Sequence, residues 1–164
     1  MNCNTSSNNE RWIGCAKLIQ AVTRHFGPHA KKSIHGVQHW RNVENHGMTI
    51  ARENGADMLV VELFAWFHDS CLVNEHIDDG HGYRAAKFAE AQRGKLYNLP
   101  DQSLDLLMRA CDGHTCGLAT TDITIGTCWD ADRLDLPRVG TQPLEAFMST
   151  GTGRRLADQM RLQC

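Results

Sequence analysis

The stretch Met58-Leu59-Val60-Val61-Glu62-Leu63-Phe64-Ala65-Trp66-Phe67-His68-Asp69 decides how this chain folds. From Met58 to Phe67 only Glu62 is charged, so the segment is apolar almost all the way round. A helix of that kind is touched on several sides and belongs in the middle of a bundle. It is too short, and interrupted by Glu62, to span a membrane. It runs straight into His68 and Asp69, so two metal-type side chains arrive in or beside the core. Burying them unpaired would be costly, and a cation is the simplest compensation.

Outward from this segment, apolar residues recur at helical spacing and strand signals are scarce. The pattern predicts a first helix from about Asn9 to Phe26, closed by Gly27-Pro28, and a second from about Gly36 to Asn54, stopped by Gly55. Asp57 caps the central helix, which is expected to reach about Ser70. A fourth spans about Gly80 to Arg93, and a fifth opens at Pro100-Asp101 and reaches about Gly113. Thr115 to Thr124 reads as a loop and Ile125 to Leu134 as a sixth helix, with short tail helices over Gln142–Met148 and Thr152–Leu162. The expectation is an all-α, single-domain bundle of about six to eight helices over residues 1–164, with a flexible start at 1–8 and tail helices within 141–164.

Bulk properties narrow the function. Hydrophobic residues make up 41% and charged residues 22%, which suits a packed core rather than disorder. A net charge of -2 gives no basic footprint for extended nucleic-acid binding. The polar Met1–Glu10 segment lacks the basic start and apolar run of a secretory signal. Seven cysteines include no CxxC pair, which favours reduced thiols and a cytoplasmic setting.

Nine histidines are a heavy load for this length, and five positions stand out. A ligand must face the interior, so it should extend its helix's apolar stripe at spacings of three or four. His39 aligns with Val43 and Ile50, His68 with Phe64, and His81 with Ala85 and Phe88. His114 aligns with Leu107 and Cys111, and Asp132 with Cys128 and Trp129. His29 and His76 sit in polar stretches and fail the test. Imidazole and carboxylate together suit zinc, manganese, iron, nickel or cobalt, and argue against a purely structural zinc, which would recruit cysteine. A cation with open positions acidifies water and polarises a phosphoryl oxygen, which is most of what phosphate-ester hydrolysis needs.

His39, the adjacent His68-Asp69, and Asp132 within Ala131-Asp132-Arg133-Leu134 resemble the H…HD…D pattern of the HD superfamily of metal-dependent phosphohydrolases. The resemblance runs from His39 to about Leu136 and implies an HD-type helical bundle. It implies a metal at His39, His68, Asp69 and Asp132, with His68 and Asp69 as catalytic residues. Asp130 and Asp135 compete for the last position, but the family pattern points to Asp132; the other two lie on different faces and suit pairing with Arg133 or Arg138. Two-metal members resemble H…HD…H…H…D, which here adds His81 and His114 around a bridging Asp69. Members that hydrolyse nucleotides place an acid three or four positions after that aspartate, where this chain has Leu72 and Val73. Glu75, Asp78 or Asp79 could supply one from the following loop.

His35 near the mouth, with Arg84, Lys87 and Arg133, are the candidates for holding a phosphate. The leading expectation is hydrolysis of a phosphomonoester or phosphodiester of a nucleotide or other small phosphorylated metabolite, with one or two ions and room for a homodimer. The alternatives are a mixed-valent diiron oxygenase acting on a small polyol or phosphonate, and a non-catalytic nucleotide-binding module.

Overall fold

The computed structural model describes residues 15–116 and 118–162. Among them are seven α-helices: α1 (Cys15–Phe26), α2 (Val37–Asn54), α3 (Met58–Phe67), α4 (His81–Gln92), α5 (Asp101–Gly113), α6 (Ile123–Arg133) and α7 (Gly151–Leu162). Short 3-10 turns follow at His114–Cys116, Leu136–Val139 and Glu145–Phe147. The described residues form no strand; a lone bridge joins Arg93 and Tyr97.

The apolar pattern of α3 places it at the centre. Val60, Val61 and Leu63 to Phe67 are all buried. Helices α2, α5 and α6 pack against it, and α4 pairs with α5. Each fully buried Leu, Val or Phe contributes about 1.5–3 kcal/mol, so α3 alone anchors much of the core. Gly47 lets α2 come close: a Cβ there would meet Val61 Cγ1 at 2.5 Å. A second, smaller cluster of Ile50, Leu134, Met148 and Ala157 seats α7 on α2 and α6.

Local chemistry sets the ends. Gly55 adopts φ 77°, closing α2, and its N–H bonds the carbonyl of Ala51. Asp57 Oδ1 accepts from the N–H groups of Leu59 and Val60 at the start of α3. Three expectations shift. The central helix ends at Phe67 rather than Ser70, because Ser70 Oγ takes the Phe67 carbonyl and turns the chain. The sixth helix starts at Ile123 rather than Ile125, because Asp122 Oδ1 caps Thr124 and Ile125. Of the stretch 142–148 only Glu145–Phe147 is helical, as a single 3-10 turn. Residues 9–14 of the first expected helix, and the N-terminal segment 1–8, lie outside the described residues.

Candidate metal centre

Helix placement brings six distant side chains together. His39 comes from the first turns of α2, His68 and Asp69 from the end of α3, and His81 from the start of α4. His114 follows α5 directly, and Asp132 lies in the last turn of α6. Gly82 makes the α4–α5 approach feasible: a Cβ there would meet the Cys111 carbonyl oxygen at 2.5 Å. That approach sets His81 against His114.

The six fall into two groups that share Asp69. On one side, His39 Nε2 and His68 Nε2 are 3.0 Å apart, each 3.5 Å from Asp69 Oδ2. Asp132 Oδ1 lies 3.3 Å from the first nitrogen and 3.8 Å from the second. On the other side, His81 Nε2 and His114 Nε2 are also 3.0 Å apart. Asp69 Oδ1 sits 3.2 Å and 3.3 Å from them. His39, His68, Asp69, His81 and His114 are buried; Asp132 keeps 21% of its side chain exposed and His35 26%, so the cluster opens on their side.

The partners of the other ring nitrogens fix what these imidazoles can do. His68 Nδ1 faces the carbonyls of Phe64 and Ala65 at 3.1 and 3.2 Å. His81 Nδ1 faces the carbonyl of Asp78 at 2.5 Å and His114 Nδ1 that of Cys111 at 2.7 Å. His39 Nδ1 faces the Asp135 carboxylate at 2.7 Å. Each of these oxygens only accepts, so each Nδ1 carries the hydrogen and each Nε2 turns a lone pair inward. Two lone pairs 3.0 Å apart repel unless something positive lies between them. The donor set therefore fits divalent cations, one position per pair, with Asp69 between.

The electrostatics describe the same need. Burial alone would lower His39, but hydrogen bonds to Asp132, Asp135 and Asp69 outweigh it and raise its pKa to about 10. Complete burial lowers His68 to about 4. His81 rises against its burial through Asp69 and the Asp78 carbonyl. Burial pushes Asp69 and Asp132 up, yet the surrounding imidazoles hold both carboxyls below the usual range. A proton on one ring of each pair is the alternative to a cation, so protons and metal compete for one place.

Other expectations land elsewhere. His35 Nδ1 does reach Asp69 Oδ2, at 3.0 Å. Arg84 binds the Asp78 carboxylate and the Cys71 carbonyl instead of facing the cluster. It lines, with His25, Cys71 and Phe88, a separate cavity of about 410 Å³ that contains none of the six. Lys87 is exposed and pairs with Glu90 along α4. Arg133 is buried and donates to the carbonyls of Phe147 and Leu118, and the Asp130 carboxylate accepts from Ser149 and Thr150. Asp78 is taken by Arg84 and the Val73 N–H.

Asp135 pairs with Arg138 as expected, at 3.6 Å, but it also reaches the cluster, which the expectation of a separate face did not include. The helix ends at Arg133, and the following turn, with Asp135 N–H on the Asp132 carbonyl, swings Asp135 back toward α2. There its Oδ2 holds His39 and its Oδ1 accepts from Asn42. The three-residue step from Asp132 to Asp135 was the available signal. Arg138, one 3-10 turn on, also reaches this rim.

No family model and no curated protein matches the sequence. A solved structure does: a predicted HD superfamily hydrolase from an uncultured Thermotogales bacterium, with a TM-score of 0.73 and 21% identity. The match covers 91% of this chain and 86% of the other. This chain has the all-helical fold of that HD superfamily protein.

Proposed function

We propose that the protein is a metal-dependent hydrolase of phosphate esters in a small phosphorylated metabolite such as a nucleotide. The observation that carries this reading is the pair of facing Nε2 couples at 3.0 Å, each flanked by one oxygen of Asp69. His39, His68, Asp69 and Asp132 would hold one divalent transition metal; Asp69, His81 and His114 would hold a second. When bound, such ions act as Lewis acids on a phosphoryl oxygen and acidify water.

The chain's own residues supply the positioning. Carbonyls of Phe64, Asp78 and Cys111 and the carboxylate of Asp135 lock the four rings, so little reorganisation remains for the reaction. Asp69 fixes the two positions relative to each other. Phe64 of α3 packs against the rings of His68 and His114 and closes the inner side. The partly exposed Asp132 and His35 mark the side from which substrate enters.

The test strips the protein of metal and reloads it with manganese, iron, zinc, cobalt or nickel. Release of nitrophenol from p-nitrophenyl phosphate and bis-p-nitrophenyl phosphate, and of phosphate from a nucleotide panel, is then followed. Turnover that vanishes in His68→Ala and Asp69→Asn is expected. Folded, loaded protein that turns over none of these with any metal would overturn the reading.

The bridging position of Asp69 also favours a second reading, an iron-dependent oxygenase acting on a small polyol or phosphonate. Oxygen consumption and a mixed-valent electron paramagnetic resonance signal in the iron-loaded protein would select it.

A further inference from the structure

The cluster's open side carries carboxylates, yet an anionic substrate needs a positive group there. The described arginines and lysines near the cluster are mostly committed: Arg84 to Asp78, Lys87 to Glu90, Arg133 to two backbone carbonyls. Arg138 differs. Its Nε donates to the Ile34 carbonyl at 2.9 Å and lies 3.6 Å from Asp135 Oδ2, and its Nη1 donates to the Asp135 carbonyl at 3.2 Å. Those contacts clamp the guanidinium between the loop before α2 and the turn after α6. Its Nη2 lies 3.5 Å from His35 Nδ1, which itself faces Asp69 Oδ2 at 3.0 Å.

His35 Nδ1 must carry its hydrogen to donate to the Asp69 carboxylate, so it offers Arg138 no lone pair. Nη2 thus faces a donor at 3.5 Å, one imidazole away from Asp69, and gains no acceptor there. The side chain keeps 18% of its surface exposed, and the adjoining His35 keeps 26%. A guanidinium clamped through its other nitrogens, with the Nη2 hydrogens left over, is pre-arranged to donate to an anion oxygen.

We propose that Arg138 is the anion-recognition residue of this site, its Nη2 binding an oxygen of the substrate's phosphoryl group beside His35. The proposal rests on the metal-centre reading and deepens it. It replaces Arg84, Lys87 and Arg133 as the phosphate-holding cation. Arg138 selects for substrates that carry a phosphate or phosphonate dianion on the open side of the cluster.

Isothermal titration of metal-loaded protein with inorganic phosphate tests it, with metal content measured on the same samples. Arg138→Gln is expected to weaken phosphate binding tenfold or more at unchanged metal content, as for the loss of a charge-assisted hydrogen bond. Arg138→Lys is expected to recover part of that affinity, because charge persists while the clamped, fixed donor is lost. In turnover, Arg138→Gln should raise KM for p-nitrophenyl phosphate more than it lowers kcat. Absence of phosphate binding by the loaded wild type, or equal binding by wild type and Arg138→Gln, would overturn the assignment. So would loss of metal from both variants, which would make Arg138 a brace for Asp135. Arg138-dependent phosphate binding without turnover of any ester would retire the hydrolase reading and keep the anion seat. Turnover with phosphate affinity indifferent to Arg138 would do the opposite.

Discussion

The smallest decisive unit is a single ring with both nitrogens spoken for. His39 meets the cluster through Nε2 and Asp135 through Nδ1 at 2.7 Å. A carboxylate behind a ligating imidazole fixes its tautomer and raises its basicity. Asp135→Asn keeps the size and one acceptor but removes the charge. It should weaken cation binding by about ten- to a hundredfold, read by competition with a chelator of known affinity. Unchanged affinity would mean Asp135 merely packs. Asn42, donating to the other oxygen of Asp135, should show a smaller effect in the same assay when replaced by Ala. Six ligand candidates were legible as residues because histidine and aspartate at core-facing spacing are conspicuous. The place of Asp135 behind His39 and of Arg138 at the rim was not, because the helix stops at Arg133 and its geometry cannot be extrapolated past the turn.

At the scale of elements, α3 carries a strain that the sequence shows as one odd letter. Glu62 interrupts the apolar run, and burial together with the charge of Glu44 raises its pKa to about 7. A carboxyl whose pKa is higher folded than unfolded favours the folded state when protonated. That advantage is complete below pH 4.5, the ordinary value, and fades as pH rises toward 7. Glu62→Gln should therefore match the wild type in urea midpoint at pH 4. It should be more stable by about 1 kcal/mol at pH 8, after allowance for solvent screening. An equal gain at both pH values would exclude the carboxylate as the cause. The cap at the head of the same helix is a separate lever. Asp57 also accepts from Ser103 Oγ at 2.8 Å, linking α3 to α5. Asp57→Ala should cost about 1–2 kcal/mol, seen as a lower denaturation midpoint with an unchanged slope. Helices opened by a proline were readable to within a residue or two, as at Asp101–Gly113 after Pro100. The start of α6 was misplaced because Asp122 sits in a run of threonines that looks like loop until its carboxylate is seen on two N–H groups.

Across the whole molecule, the cluster is a cross-link between elements far apart in sequence. Its side chains come from α2, the ends of α3 and α5, the start of α4 and the end of α6, while α1 and α7 contribute none. Periodicity foretold the helices but not which ends would meet; that depends on small residues such as Gly47 and Gly82 that set how closely helices approach. Binding at the shared ends must stabilise the folded state, since the unfolded chain cannot reproduce the cluster. At a free metal concentration a hundred times the dissociation constant, one site adds about 2.7 kcal/mol. For a chain of this size that raises Tm by about 5–10 °C. Manganese, zinc or cobalt should produce such a shift in the stripped protein, and magnesium, which prefers oxygen ligands and keeps its waters, should not. His114→Ala should lower the metal count per chain while leaving the position at His39, His68 and Asp132 able to respond. Hydrogen exchange supplies the spatial check: added metal should slow exchange in α2 to α6 while leaving α7, held by the separate Ile50–Leu134–Met148–Ala157 cluster, nearly unchanged. A Tm indifferent to every transition metal, in protein shown to be metal-free, would mean that protons rather than cations occupy the gaps between the paired rings.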